Sequence, residues 1–266
     1  MLQLLIIFAS LGVVAGLLAG ALGLGGGVVI VPALLLVFHL LGFDPAVLVQ
    51  AAVATSLATI VVTSVSSVRS HHQQGNVRWP LVFRLGAGIV LGAFVGGLLA
   101  GNMPGALLAR FFGVFAILVS LQMLFSGGGA NDQRPEKVWP SSLLVASGSV
   151  IGLVSSMFGI GGGSMTVPLL NALRVKMQQA VAVSAACGLP IAVAGGLGFV
   201  LVGWGDERLP TGSVGFIYLP AVLAIVLTSY PMARVGARLA HRLPATTLRR
   251  GFAVVLMLIG LRLVAG

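Results

Sequence analysis

Two short glycine runs are the part of this sequence best suited to chemistry. Gly25-Gly26-Gly27 closes a GLGGG motif, and Gly161-Gly162-Gly163 closes a GIGGG motif. Successive glycines let the backbone turn sharply and present its N–H groups. The start of a following helix adds partial positive charge, so such a turn holds an anion without any cationic side chain. The plainer reading is a tight turn that permits close packing. The runs are not dinucleotide-binding fingerprints, because the spacing is wrong and no strand precedes them. Ser155, Ser156, Ser164, Thr166 and Asn171 flank the second run, where the first half has Ala19, Gly20, Val28, Ile30 and Leu35. Thr55, Ser56 and Ser184 lie on the apolar segments that follow, with Gln50 and Gln179 nearer their starts. Hydroxyls and amides replace the hydration of an oxyanion, although Ser and Thr also join membrane helices to one another. The candidate substrate-binding set is therefore Gly25, Gly26, Gly27, Thr55, Ser56, Gly161, Gly162, Gly163, Ser164 and Ser184.

Other chemistries lack their residues. Asp44, Asp132, Glu136, Asp206 and Glu207 all fall in predicted loops. With no carboxylate inside an apolar segment, an intramembrane proton relay has no carrier and a cation substrate has no counter-charge. His39 sits at the end of a segment, where interfacial anchoring is its natural role. The single cysteine, Cys187, rules out an internal disulfide and a multi-cysteine metal site. Neither a Ser-protease motif, nor paired aspartates, nor a metal-ligand cluster is present. We therefore expect no catalytic residue, no metal and no cofactor, and a non-enzymatic function.

The elements that position these residues follow from composition. Of 266 residues, 58% are hydrophobic and 8% charged, where a soluble domain carries about 25% charged residues. The apolar runs last about 20 residues, the length a helix needs to cross a bilayer. Many of the 38 glycines recur in pairs within those runs, and small residues let helix backbones approach closely in lipid. The net charge of +10 comes without basic runs interleaved with aromatics, so it fits cytoplasmic loops and not nucleic acid. The N-terminal stretch lacks a basic leader region and reads as a first membrane segment.

The chain repeats itself. GLLAGALGLGGGVVIVP (16–32) and GLVSSMFGIGGGSMTVP (152–168) align without gaps, so that Pro32 falls on Pro168. Downstream, Thr55 matches Ser184, and Val95-Gly96 matches Val235-Gly236. The polar stretch SGGGANDQRPEKVWP separates the copies. This gives a first membrane repeat at 1–126, a cytoplasmic linker at 127–139 and a second membrane repeat at 140–266. Each repeat reads as an apolar segment (2–23; 140–159), a glycine break, a short arm (28–41; 164–173) and three longer segments (45–68, 80–101, 105–126; 177–203, 213–235, 245–265). Placing the basic loops 69–79, 171–177 and 234–250 in the cytoplasm puts both termini outside. Corresponding loops then face opposite ways. The expected fold class is an all-α polytopic membrane protein of two inverted repeats, each a Gly-rich broken-helix hairpin plus three transmembrane helices. That is the architecture of secondary transporters, whose site lies near the midplane between repeats.

The two motifs, with ATSL at 54–57 and GNVRW at 75–79, resemble the TauE/SafE family of sulfite exporters over nearly the whole chain. The resemblance implies a multi-pass inner-membrane carrier of small inorganic or organic sulfur anions, such as sulfite or organosulfonates. By position its tips are Gly25–Gly27 and Gly161–Gly163. Ser184-Ala185-Ala186 departs from the TSL pattern, which puts a symmetric two-site picture in doubt. An exporter is the leading expectation. An uptake carrier for a sulfonate or small carboxylate, and a passive anion channel, share the same features. The lipid bilayer is the expected surround, and a homodimer is compatible with the sequence.

Overall fold

The structure is a computed structural model that describes residues 2–22, 27–125, 137, 139–240 and 245–265. Its helices are α1 (Leu2–Leu22), α2 (Gly27–Leu40), α3 (Leu48–Gln73), α4 (Trp79–Asn102), α5 (Gly105–Phe125), α6 (Ser141–Met157), α7 (Gly163–Ala172), α8 (Met177–Val202), α9 (Leu219–Ala240) and α10 (Ala245–Ala265). One antiparallel ribbon, β1 (Ser213–Val214) with β2 (Ile217–Tyr218), precedes α9. The order in α1–α5, a long helix, a short one and three long ones, recurs in α6–α10. The linker residues 127–136 and 138 lie outside the described residues.

Among the described residues, α3, α4, α5 and α8 are each long and apolar enough to cross a membrane. The short helices α2 and α7 have 14 and 10 residues, roughly 21 and 15 Å at 1.5 Å per residue, which is less than a crossing. Each carries proline at its sixth position, Pro32 and Pro168. The missing N–H leaves the carbonyl four residues earlier without its helical donor.

Several expected boundaries differ from the structure: α3 starts at Leu48 instead of 45, and α9 runs to Ala240 instead of 235. Helix α3 runs on to Gln73, past the end of its apolar run, because the chain stops only where Gly75 takes φ +70°. There the Gly75 and Asn76 amides cap the carbonyls of His72 and His71. Residues 213–218, expected to begin a membrane segment, form the β ribbon instead. Its turn residue Gly215 sits at φ +52°, with no room for a Cβ against the Val200 backbone at 2.6 Å.

The helices pack through glycines at matching places. Helix α6 lies on α4, with Gly148 against the Leu85 carbonyl and Gly152 against the Ile89 carbonyl. Helix α1 lies on α9, with Gly12 against the Ile225 carbonyl and Gly16 against the Ser229 carbonyl. Gly12 and Gly16 are the repeat counterparts of Gly148 and Gly152, and Leu85 and Ile89 are the counterparts of Ile225 and Ser229. The two interfaces are therefore one interface built twice, with the partners exchanged between the two runs of five helices. At the centre α3 meets α8. The most apolar window of α3 is 72% buried, against 39% for α5, so α3 is an inner helix and α5 a peripheral one.

Backbone contact of this kind leaves no space for a side chain. Gly92→Val, whose Cβ would fall on the Ser149 carbonyl, is expected to cost about 1–3 kcal/mol by overpacking. Gly86→Ala meets nothing within 4 Å and is expected to be neutral or slightly stabilising in its helix. Thermal unfolding of the detergent-solubilised protein checks the pair; equal melting temperatures would refute this packing.

Candidate functional site

The second glycine run interrupts the chain between α6 and α7. Helix α6 ends at Met157, and the Ile160 amide turns back to the Ser155 carbonyl at 2.9 Å. Gly159 and Gly162 take left-handed backbone at φ +67° and +76°, where an L side chain is strained. Gly162 is the N-cap of α7, and its carbonyl accepts the Met165 and Thr166 amides at 3.1 and 2.8 Å. The amides of Gly163 and Ser164 come before any intrahelical acceptor, so they remain as donors at the positive end of the helix.

Three elements enclose this tip. Helix α3 presents one face of residues three or four apart. On it Val53 lies against Gly159, the Ser56 hydroxyl donates to the Gly159 carbonyl at 2.9 Å, and Ile60 lies against Gly27. Helix α2 approaches through Gly27, its first residue, where a Cβ would sit 2.7 Å from the Gly159 carbonyl oxygen and 3.1 Å from the Ile160 Cα. Helix α8 approaches through Gly188, where a Cβ would sit 3.0 Å from both the Gly161 carbonyl and the Ser64 hydroxyl. Ile191, one turn on, covers Gly162 with its Cδ1. The start of α2 therefore packs directly on the second tip.

The sequence-derived residues divide accordingly. Gly27, Ser56, Gly161, Gly162, Gly163 and Ser164 are at or against the tip. Ser184 is buried on α8, four residues before Gly188 and on the same helical face. Gly25 and Gly26 lie outside the described residues. The fully buried Thr55 has another contact: its Oγ1 accepts the Tyr218 amide at 3.0 Å. That bond pins the β ribbon to α3. Tyr218 in turn packs edge-on against Phe38 and Phe43, which stack on each other at 4.2 Å. Sequence reasoning missed Ser64 and Ile191, since nothing in a helical stripe distinguishes the residues that face a turn distant in sequence.

Among the described residues, none of those enclosing the tip carries a charge. The acidic residues in the described part lie in loops, and Asp206 is held ionised below the usual carboxylate range by its hydrogen bond to Arg208 at 2.6 Å. The tip is thus a neutral set of amides and hydroxyls with a helix terminus behind it. Beside it, Ser164 joins Gln122, Ser147, Ile151 and Leu169 in lining a cleft of about 560 Å³ between α5, α6 and α7. No His, Cys, Asp and Glu group among the described residues is arranged to hold a metal ion.

A family model described as "Sulfite exporter TauE/SafE" matches residues 8–263. A probable membrane transporter protein of Haemophilus influenzae is 37% identical over 95% of this chain and 95% of its own length. A probable membrane transporter protein of Methanocaldococcus jannaschii is 27% identical, covering 98% of this chain and 95% of its own. Another from Bacillus subtilis is 28% identical over 97% of each. No solved structure matches the chain.

The left-handed cap makes a specific demand at Gly162. Gly162→Ala is expected to cost about 1–2 kcal/mol from backbone strain alone. Further loss should come from contact with the Ile191 Cδ1 at 2.6 Å. Ile191→Val removes that atom and should restore part of the loss, giving a coupling of about 0.5 kcal/mol or more in a double-mutant cycle read by thermal unfolding. Strict additivity would place Ile191 away from the tip.

Proposed function

This chain belongs to the sulfite exporter TauE/SafE family, and from that premise we propose that it is a secondary transporter moving a small sulfur-containing anion, sulfite or an organosulfonate, out across the cytoplasmic membrane. It is a multi-pass membrane protein, and the relatives named above are each called a probable membrane transporter protein. The observation that carries the proposal is the Gly162-capped start of α7, enclosed by Gly27 of α2, Val53, Ser56, Ile60 and Ser64 of α3, and Gly188 and Ile191 of α8, with no charged residue among these. An anion is the ligand such a terminus favours.

Three features support the finer reading. Interrupted helices at the meeting of two repeats are where secondary transporters hold substrate. The doubled α1–α9 and α6–α4 interfaces support a pseudo-two-fold relation between repeats at 1–126 and 140–266. The basic loops support an inverted arrangement with both termini outside the cytoplasm. Export needs no coupling ion in this scheme, since an anion leaving a negatively polarised cell gains about 2.3 kcal/mol per charge per 100 mV. In this reading Gly25–Gly27 with Gly161–Gly163 form the tips, Ser56, Ser164 and Ser184 contribute polar contacts, and Thr55 acts by holding the β ribbon.

The test is uptake of radiolabelled sulfite into proteoliposomes with the membrane potential clamped at opposite signs, and with taurine, sulfoacetate and acetate as competitors. We expect saturable flux that reverses preference with the sign of the potential and is abolished by a bulky replacement at Gly26 or Gly162. Flux insensitive to voltage would refute uncoupled export. Competition by acetate and not by the sulfur compounds would transfer the site to a carboxylate.

A further inference from the structure

Hydroxyls buried between helices ordinarily donate to a carbonyl three or four residues earlier on their own helix. In this chain Thr59 donates to Ser56 at 2.7 Å, Ser120 to Ile117 at 2.8 Å, Ser156 to Leu153 at 3.0 Å and Thr228 to Ala224 at 2.9 Å. Ser229 on α9 breaks the pattern, and so, at the tip, do Thr166 and Ser155. They are 0% and 1% exposed, and neither hydroxyl oxygen has a partner among the described residues. Burying a hydroxyl without a partner is unfavourable, so a residue that does so needs a reason.

Their position supplies one. A Cβ built on Gly162, the cap of α7, would lie 3.3 Å from the Thr166 Oγ1. The hydroxyl is therefore beside the cap of the helix whose first amides, those of Gly163 and Ser164, have no intrahelical acceptor. Ser155 stands on the last turn of α6, and the loop returns over it through the Ile160 amide. The Ser164 hydroxyl, out of contact with solvent, also lacks a partner. In the first repeat the counterparts of Ser155, Ser164 and Thr166 are Ala19, Val28 and Ile30, and Val28 and Ile30 are buried aliphatics. No hydroxyl is available at those positions.

We propose that Thr166, with Ser155 and the first amides of α7, forms a single oxyanion seat per chain, built on the second glycine tip alone, while the first repeat contributes Gly27 as a packing surface. The seat is neutral and offers hydrogen-bond donors from several directions, which suits a monoanionic head group with three oxygens. It is a specificity device: what it recognises is the geometry of acceptors and not net charge. The inference rests on the anion-carrier reading and replaces two equivalent tips by one.

The experiment measures sulfite binding to the purified full chain by titration calorimetry and sulfite uptake in proteoliposomes. The variants are Thr166→Val, Thr166→Ser, Ser155→Ala and, as the counterpart control, Ile30→Val. Loss of a hydrogen bond to a charged ligand predicts that Thr166→Val raises Kd and KM about 10- to 100-fold. Thr166→Ser should stay near wild type, as should Ile30→Val. Because the hydroxyl has no partner among the described residues, Thr166→Val should melt no lower than wild type, which separates a ligand role from a structural one. Stoichiometry should be one sulfite per chain. Unchanged affinity in Thr166→Val, or two anions per chain, overturns the single seat and leaves the carrier reading intact. A folded wild-type chain that binds neither sulfite nor the organosulfonates taurine and sulfoacetate overturns both.

Discussion

A chain immersed in hydrocarbon must satisfy its backbone polar groups within the protein, and between α6 and α7 the described chain breaks its helix with backbone that is buried from Phe158 to Gly162. The rest of the centre is arranged around that break. The Gly159 carbonyl, released from helical pairing, is taken by the Ser56 hydroxyl, and the Ile160 amide turns back to Ser155. Helix α3 brings Ser56 there and is accordingly the most enclosed of the membrane-length helices. Helices α2 and α8 then close on the tip through glycines, since a Cβ at Gly27 would strike the Gly159 carbonyl and one at Gly188 would press on the Gly161 carbonyl. Irregular backbone is retained where protein surrounds it on every described side.

The same solvent explains how the surrounding helices are held. Lipid tails are as apolar as leucine, so helices gain nothing by hiding leucines from them and associate through close backbone contact. Gly148 and Gly152 on α6 do this against α4, and Gly12 and Gly16 do it against α9. Because the contact is made by the absence of side chains, it demands little else of the sequence. Two repeats that have diverged in most positions still dock alike. Their surfaces toward lipid are free to vary, while around its tip the second repeat carries the hydroxyls of Ser155, Ser164 and Thr166 where the first has Ala19, Val28 and Ile30.

This division also governs how much was legible beforehand. Segment lengths and the order of elements followed from apolar runs and glycine breaks, because hydrophobic thickness sets them directly. The end of α3 was misplaced because hydropathy marks where lipid ends, whereas the helix stops at a left-handed Gly75. The ribbon at 213–218 was read as membrane helix because its apolar residues are buried under protein: Phe216 against Phe199, and Tyr218 among Phe8, Phe38 and Phe43. For the site, Gly161–Gly163 stood out by repetition. The separate tasks of Thr55 and Ser56 did not, although they are neighbours, since consecutive residues on a helix point about 100° apart. One holds the ribbon and the other the tip, and only the tertiary arrangement distinguishes them.

A carrier must release what it binds, and this limits how a membrane-embedded anion site is built. An arginine or lysine in the same place would bring its own desolvation cost, and its pairing with the anion would strengthen as water is excluded. Amide and hydroxyl donors at a helix start instead supply attraction that is modest per bond and depends on geometry. Small movements of α7 relative to α6 would weaken it. The turn residues that join those two helices are glycines at φ +67° and +76°, and the proline in α7 lies one turn beyond Ser164. The absence of charge among the described residues around the tip suits such a site: binding is shaped by where donors stand, so a shift in one helix is enough to undo it.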